Sequence, residues 1–191
     1  MRTALIGGIG NVLLGDDGVG PYILCLLDSR YRFGDDVELA DLGTPALDLT
    51  HQIVGLRSLI LIDSVASDED APGTVTLYRK EDIMSIAPAE RLDPHSPALS
   101  ECLLTAEMLG ACPEQVLLVG IIGATYEPGE PMSSAVLHSV EEAIQVILEE
   151  LRRLGFSFEK KTSATEAGIW WAKIITPRAS RRAPRVRAIP E

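Results

Sequence analysis

Two adjacent carboxylates, Asp16 and Asp17, lie inside a glycine-rich stretch that runs from Gly7 to Gly20. That stretch follows directly on a short apolar run, Thr3 to Ile6. Glycines after a strand usually suggest a phosphate cradle, but anionic side chains in the same turn repel phosphate, so the stretch reads better as part of a cation site. Candidate companions recur further along. Asp41, Gly43 and Thr44 follow a second apolar run, Asp63 and Ser64 follow Ser58 to Ile62, and His95 stands between Pro94 and Ser96. In an open α/β sheet, ligands collect beyond the carboxyl ends of the strands, where all these residues would lie. Carboxylates from separate strand ends plus one imidazole form a mixed oxygen and nitrogen set. Such a set suits a divalent transition metal better than magnesium, and three protein ligands would leave open positions for water or substrate. Each member has a plainer alternative. Asp63 could cap a turn, the acidic pair could be solvated turn residues, and a lone loop histidine is usually just exposed. The case rests on their joint placement. His51 and His138 fall in helical stretches and read as structural or surface residues.

The elements that would hold these residues follow from periodicity. Arg2 to Gly8 reads as a first strand, and Gly20 to Ser29 as a helix with Tyr22, Ile23, Leu26 and Leu27 on one face. Val37 to Leu42 reads as a strand and Asp48 to Val54 as a helix, with Ala46, Leu47, Leu49 and Ile53 turned inward. Ser58 to Ile62 is continuously apolar after its serine, as suits a strand buried on both faces, and it should end at Asp63. Thr74 to Tyr78 alternates like a strand open on one side. Ile86 to Pro97 reads as a proline-rich loop. Ala98 to Leu109 reads as a helix closed by Gly110, with Leu99, Cys102, Leu103, Ala106 and Leu109 apolar. Gln115 to Ile122 is another buried strand. Ser133 to Leu154 is the longest helix, N-capped by Ser133 or Ser134, with Val136, Leu137, Val140, Ile144, Ile147, Leu148 and Leu151 as its inner stripe. The alternation predicts a three-layer α/β/α sandwich around a mostly parallel, roughly five-stranded twisted sheet. One domain, residues 1–154, should contain the site. Residues 155–191 read as a basic, flexible tail, despite the apolar Ile169 to Ile175.

The chain has 191 residues, 46% hydrophobic and 24% charged, the profile of a globular domain with a sizeable core. Residues 159–191 hold eight Lys or Arg against three Asp or Glu, net +5, whereas the first 158 residues hold nine against twenty-five, net −16. An acidic body disfavours binding to a nucleic-acid backbone. No apolar run approaches the ~20 residues needed to span a bilayer, and no signal-peptide pattern opens the chain. Cys25, Cys102 and Cys112 lack CxxC spacing and read as buried thiols of a reducing compartment, so a cytoplasmic location is expected. Other machineries fit poorly. At Gly8-Ile9-Gly10-Asn11-Val12-Leu13 a leucine takes the third glycine of a dinucleotide fingerprint, and there is neither a GxxxxGK[ST] loop nor a G-x-S-x-G elbow.

The stretch Gly8-Ile9-Gly10-Asn11-Val12-Leu13-Leu14-Gly15-Asp16-Asp17-Gly18-Val19-Gly20 resembles the N-terminal signature of the nickel-iron hydrogenase maturation endopeptidases. The likeness continues in Asp41-Leu42-Gly43-Thr44, Leu61-Ile62-Asp63-Ser64, Asp93-Pro94-His95-Ser96 and Leu118-Val119-Gly120-Ile121, over roughly residues 1–154. The resemblance implies a three-layer α/β/α fold and cytoplasmic removal of a short C-terminal extension from the hydrogenase large-subunit precursor after nickel insertion. It implies that Asp17, Asp63 and His95 contact the metal, which would be the nickel of the substrate, and that Asp41, Gly43 and Thr44 contribute to substrate recognition. Asp17 stands where some relatives have Glu. The usual Gly-Gly pair of the recognition loop reads Leu42-Gly43, a departure that bears on substrate preference. A metal-polarised carbonyl or a metal-activated water could then react at the scissile amide, with Asp16 a candidate general base. The partner expected is the large-subunit precursor, with no nucleic acid and no membrane, and a monomeric enzyme. The alternatives are a non-catalytic accessory protein that binds a metallated client and a nucleotide-binding α/β domain.

Overall fold

The computed structural model describes residues 3–45, 49–85, 97–163 and 165–173. The first strand, β1 (Ala4–Ile9), leads through a 3-10 turn (Gly15–Gly18) into α1 (Val19–Arg30). There follow β2 (Tyr31–Phe33), β3 (Val37–Gly43), α2 (Leu49–Ile53), β4 (Ser58–Val65), β5 (Val75–Arg79), α3 (Lys80–Ser85) and α4 (Pro97–Met108). The chain continues through β6 (Gln115–Ile122), α5 (Ser134–Leu154), β7 (Phe158–Lys160) and a second 3-10 turn (Trp170–Lys173). Five strands form the central sheet in the order β3-β1-β4-β6-β5. The first four are mutually parallel, and β5 closes one edge antiparallel to β6.

The period-2 alternation of the strands splits their side chains between two cores. Ile6, Ile60, Ile62, Leu117 and Val119 face α1 and α5, where Ile23, Leu27, Ile144, Ile147 and Leu148 meet them. Leu5, Leu59, Leu61 and Leu118 face the other way, onto Leu49, Ile53, Leu99, Cys102 and Leu103 of α2 and α4. Because β1 and β4 are covered on both faces, their sequences read as continuous apolar runs, and the three-layer α/β/α sandwich is as expected.

The chain order places the site. From β1 the chain moves outward to β3 through α1, on one face. It then returns past β1 to β4 through α2, on the other face. The carboxyl end of β1 is therefore a topological switch point, flanked by the ends of β3 and β4, where successive connections diverge and leave a crevice.

Several details depart from the sequence reading. Asp63 does not end its strand: β4 continues through Ser64 and Val65, and Asp63 pairs with Gly120 of β6. Leu137 and Leu109 are exposed at 44% and 65%, so neither belongs to its helix's inner stripe, whereas the remaining stripe residues of α5 are buried. Only Cys102 is buried, and Cys25 and Cys112 are partly exposed. The short elements β2, α3 and β7 have no counterpart in the periodicity reading. β2 pairs antiparallel with β7, so an ordered strand lies just beyond residue 154. Phe156 and Trp171 are buried as well. Ser133 caps α5 by accepting the Val136 N–H, and Gly155 and Gly110 adopt the left-handed conformation that ends α5 and α4. Ala46, Leu47 and Asp48, the Ile86 to Ser96 part of the proline-rich loop with His95, and the basic cluster Arg178 to Arg187 lie outside the described residues.

Candidate active site

At the switch point the β1–α1 loop folds back on its own acidic pair. The Asp17 Oδ2 accepts the Asn11 backbone N–H at 2.7 Å, and the Asn11 Oδ1 accepts the Leu13 N–H at 3.0 Å. Gly10 has φ +127°, and a Cβ there would stand 1.8 Å from the Asp17 carbonyl oxygen, so only glycine lets the two limbs of the loop close. Gly20 packs the first turn of α1 against bare backbone: a Cβ would meet the Ile9 and Ile62 carbonyl oxygens at 2.3 and 2.5 Å. The amino end of α1 and the carboxyl ends of β1 and β4 are thereby drawn together, with both acids just ahead of the positive end of α1.

The two acids of the pair have different environments. Asp16 is fully buried, and its carboxylate receives three backbone amides: Ala124 N–H at 2.7 Å and Thr125 N–H at 3.1 Å on Oδ2, and Ser133 N–H at 2.6 Å on Oδ1. The Asp16 N–H in turn donates to the Thr125 carbonyl at 2.9 Å. This side chain rivets the β1–α1 loop to the β6–α5 loop. Committed to three amides, it is poorly placed to collect a proton from a reacting group, so the candidacy of Asp16 as general base is set aside. Asp17, 4% exposed, directs its carboxylate into its own loop.

Asp63 is 5% exposed near the end of β4, one residue past the Gly8–Ile62 pairing of β1 with β4. Its Oδ1 accepts the N–H of the adjacent Ser64 at 2.8 Å. The carboxylate therefore comes from within a paired strand, and the turn-cap reading of this residue falls away. Asp17 and Asp63 stand at the carboxyl ends of the neighbouring strands β1 and β4. On the other flank, Gly43 has φ +58°, donates its N–H to the Asp41 Oδ1 at 3.0 Å and accepts the Gly10 N–H at 2.7 Å. Asp41 and Thr44 are exposed while Gly43 is half-buried. His95 lies outside the described residues. Among the described residues no group of three or more His, Cys, Asp or Glu could hold a metal ion.

Cys25 on α1 sits near Asp41. Burial first, then the charges of Asp41 and Asp28, pushes its thiol upward in pKa, which keeps it protonated and a poor nucleophile. His51 and His138 are both on the surface. The amide of Asn11, which a dinucleotide phosphate would need, is taken by Asp17, in keeping with the absence of the third fingerprint glycine. Sequence reasoning missed Tyr126, whose hydroxyl lies 3.0 Å from the Ser64 Oγ; no motif or periodicity marks it. It also missed the role of Asp16, because nothing in two adjacent aspartates says which one turns inward to the amides of a loop 108 residues away.

Fold and site together define a class: a doubly wound α/β protein with buried carboxylates at its topological switch point. The family model described as hydrogenase maturation protease matches residues 21–150, and the chain belongs to that family of endopeptidases, which are hydrolases. It is similar to the hydrogenase 2 maturation protease of Escherichia coli, with 32% identity over 151 residues, covering 79% of this chain and 92% of that one. Among solved structures, the E. coli hydrogenase maturating endopeptidase HybD superposes with a TM-score of 0.77 at 30% identity, covering 85% of this chain and 99% of the other. The [NiFe] hydrogenase maturation protease HybD of Thermococcus kodakarensis gives a TM-score of 0.63 at 25% identity, over 78% and 99% of the two chains.

Proposed function

We propose that this endopeptidase removes the C-terminal extension of a nickel-iron hydrogenase large-subunit precursor after nickel insertion, and that Asp17, Asp63 and His95 engage the nickel carried by that substrate. The observation that carries this reading is the pair of nearly water-excluded carboxylates on adjacent strand ends at the switch point, Asp17 after β1 and Asp63 in β4. Each carboxylate is held by a backbone amide, and a divalent ion presented by the substrate is a cation that buried carboxylates can receive. His95 would supply the nitrogen ligand of a mixed oxygen and nitrogen set.

In this reading the enzyme's ligands fill positions left open on a nickel held mainly by the substrate's own thiolates. An empty precursor then lacks the central contact, and cleavage is coupled to metal loading. Docked nickel can polarise the scissile carbonyl or activate a water. The exposed Asp41 and Thr44, with Gly43 between the two strand-end loops, contact the polypeptide around the scissile bond. The catalytic work belongs to residues 1–154 of a monomer acting in the cytoplasm, with no nucleic-acid or membrane partner. Among the described residues no helix is long and apolar enough to cross a membrane.

The test is a single-turnover assay on nickel-loaded precursor. His95→Ala and Asp63→Asn should each reduce loss of the extension by more than about 100-fold while circular dichroism stays that of the wild type. Wild-type cleavage in both variants would remove these residues from the site. A stable complex of the wild-type protein with uncut precursor would instead support the accessory-protein alternative.

A further inference from the structure

Beside the carboxyl end of β4 lies a tyrosine with no assigned role. Tyr126 lies in the β6–α5 loop and is 41% exposed, yet its hydroxyl is turned inward. It lies 3.0 Å from the Ser64 Oγ and donates to the Val65 carbonyl at 3.4 Å. Ser64 is 1% exposed, and its N–H donates to the Asp63 Oδ1. The hydroxyl also fills the space beside Gly123, where a Cβ would meet it at 2.4 Å. The loop that carries Tyr126 is fixed at both ends by Asp16, through Ala124 and Thr125 on one side and Ser133 on the other. A second tie, Gly129 N–H to the Leu13 carbonyl at 2.8 Å, binds the middle of the loop to the β1–α1 loop.

A continuous cross-link thus runs from Asp17 through its neighbour Asp16, across the β6–α5 loop, through Tyr126 to Ser64 and so to Asp63. We infer that Tyr126 is a positioning residue that, together with Asp16, sets the placement of the Asp63 carboxylate relative to Asp17. A ligand that grips a metal must be held to within about half an ångström, and hydrogen bonds behind the ligands do that work. Past Ile62 the ladder of β4 with β1 ends and its last residues stay paired with β6 on the other side, so side chains add support on the flank that β1 no longer covers. The phenol does this from the β6–α5 loop, through its hydroxyl contacts with Ser64 and the Val65 carbonyl.

The inference rests on the reading of Asp17 and Asp63 as groups that engage the substrate's nickel, so the experiment includes a variant that tests that reading alone. Full-length wild type, Tyr126→Phe, Ser64→Ala, the double variant and Asp63→Asn are compared for kcat and KM on nickel-loaded precursor and for melting temperature. Tyr126→Phe and Ser64→Ala should each lower kcat about 3- to 10-fold, the range one hydrogen bond supports, with KM and melting temperature near wild type. The double variant should be no worse than Tyr126→Phe, which already removes the Ser64 contact together with the hydrogen bond to the Val65 carbonyl. Wild-type kcat in Tyr126→Phe, additive losses in the double variant, or losses that track a fall in melting temperature overturn the positioning role while an inactive Asp63→Asn leaves the site reading standing. Wild-type activity in Asp63→Asn, or no cleavage by the wild-type protein, overturns both.

Discussion

Neighbouring carboxylates do different work here because of where their lone pairs point. Asp16 gives its oxygens to three backbone amides and is sealed from water, while Asp17 accepts the Asn11 amide of its own loop. A carboxylate that satisfies several N–H groups in a dry site is a strong structural joint, and removing its charge leaves those donors with a weaker acceptor and sets an amide group against them. Asp16→Asn should therefore lower the unfolding free energy by about 2–3 kcal/mol, read as a reduced midpoint in urea with an unchanged m-value. Asp17→Asn should cost less stability and more cleavage. Equal stability in Asp16→Asn and wild type would remove the rivet.

At the level of elements, the ribbon of β2 and β7 extends the packed structure past the last long helix. Tyr31, Phe33 and Phe158 form an aromatic cluster with centroids 6.0–6.4 Å apart, and the Arg152 guanidinium stands 4.9 Å from the Phe158 ring centre. Phe156 and Trp171 are 6% and 5% exposed, although Trp170 beside it is 60% exposed. The segment also satisfies the end of α1: the Thr165 N–H donates to the Ser29 carbonyl and the Lys161 N–H to the Arg30 carbonyl. Ending the chain at Gly155 uncovers these contacts. The shortened protein should lose about 3 kcal/mol or more, which for a chain of this size lowers the melting temperature by roughly 10 °C. A melting temperature within a degree of wild type would mean that the ribbon contributes nothing to the domain.

For the whole molecule, one buried charge centre joins the edge of the sheet to the long helix. Glu150 of α5, 5% exposed, is held by two bidentate arginines. Arg153 reaches it through Nε and NH2 at 2.8 Å each, and Arg79 of the edge strand β5 through NH1 and NH2 at 2.5 and 3.2 Å. Arg153 also donates to Gln115 at the start of β6, at 2.9 Å. Hydrogen bonding from Arg153, opposed by burial and reinforced by Arg79, lowers the Glu150 pKa from 4.5 to about 2. The folded value lies below the unfolded one, so the stabilisation is complete above pH 4.5 and is lost as pH falls toward 2. The contribution is about 3 kcal/mol. Between pH 5 and 2, wild type should lose more stability than Glu150→Gln, which starts lower and has no such carboxylate to protonate. Parallel losses in the two proteins would show that acid sensitivity comes from other groups.

The sequence alone determined the layers, because strands buried on both faces must be continuously apolar and helices beside them must carry a stripe at helical spacing; β6 and α5 follow directly from this rule. It also marked Asp17, Asp41 and Asp63 as strand-end groups, since loops after parallel strands gather on one side of a sheet. Tertiary structure decided what depends on contacts between distant residues. The strand order puts β1 at the switch point, the amides of residues 124, 125 and 133 make Asp16 a joint rather than a base, and the hydroxyl of Tyr126 reaches Ser64. The continuation of β4 beyond Asp63 and the pairing of β2 with β7 were likewise hidden, since three-residue strands are too short to show a period and an aspartate looks like a stop until its partner strand is known. Periodicity encodes which face of an element is dry, but hydrogen-bond partners a hundred residues apart are chosen only when the packed layers bring them within about 3 Å of each other.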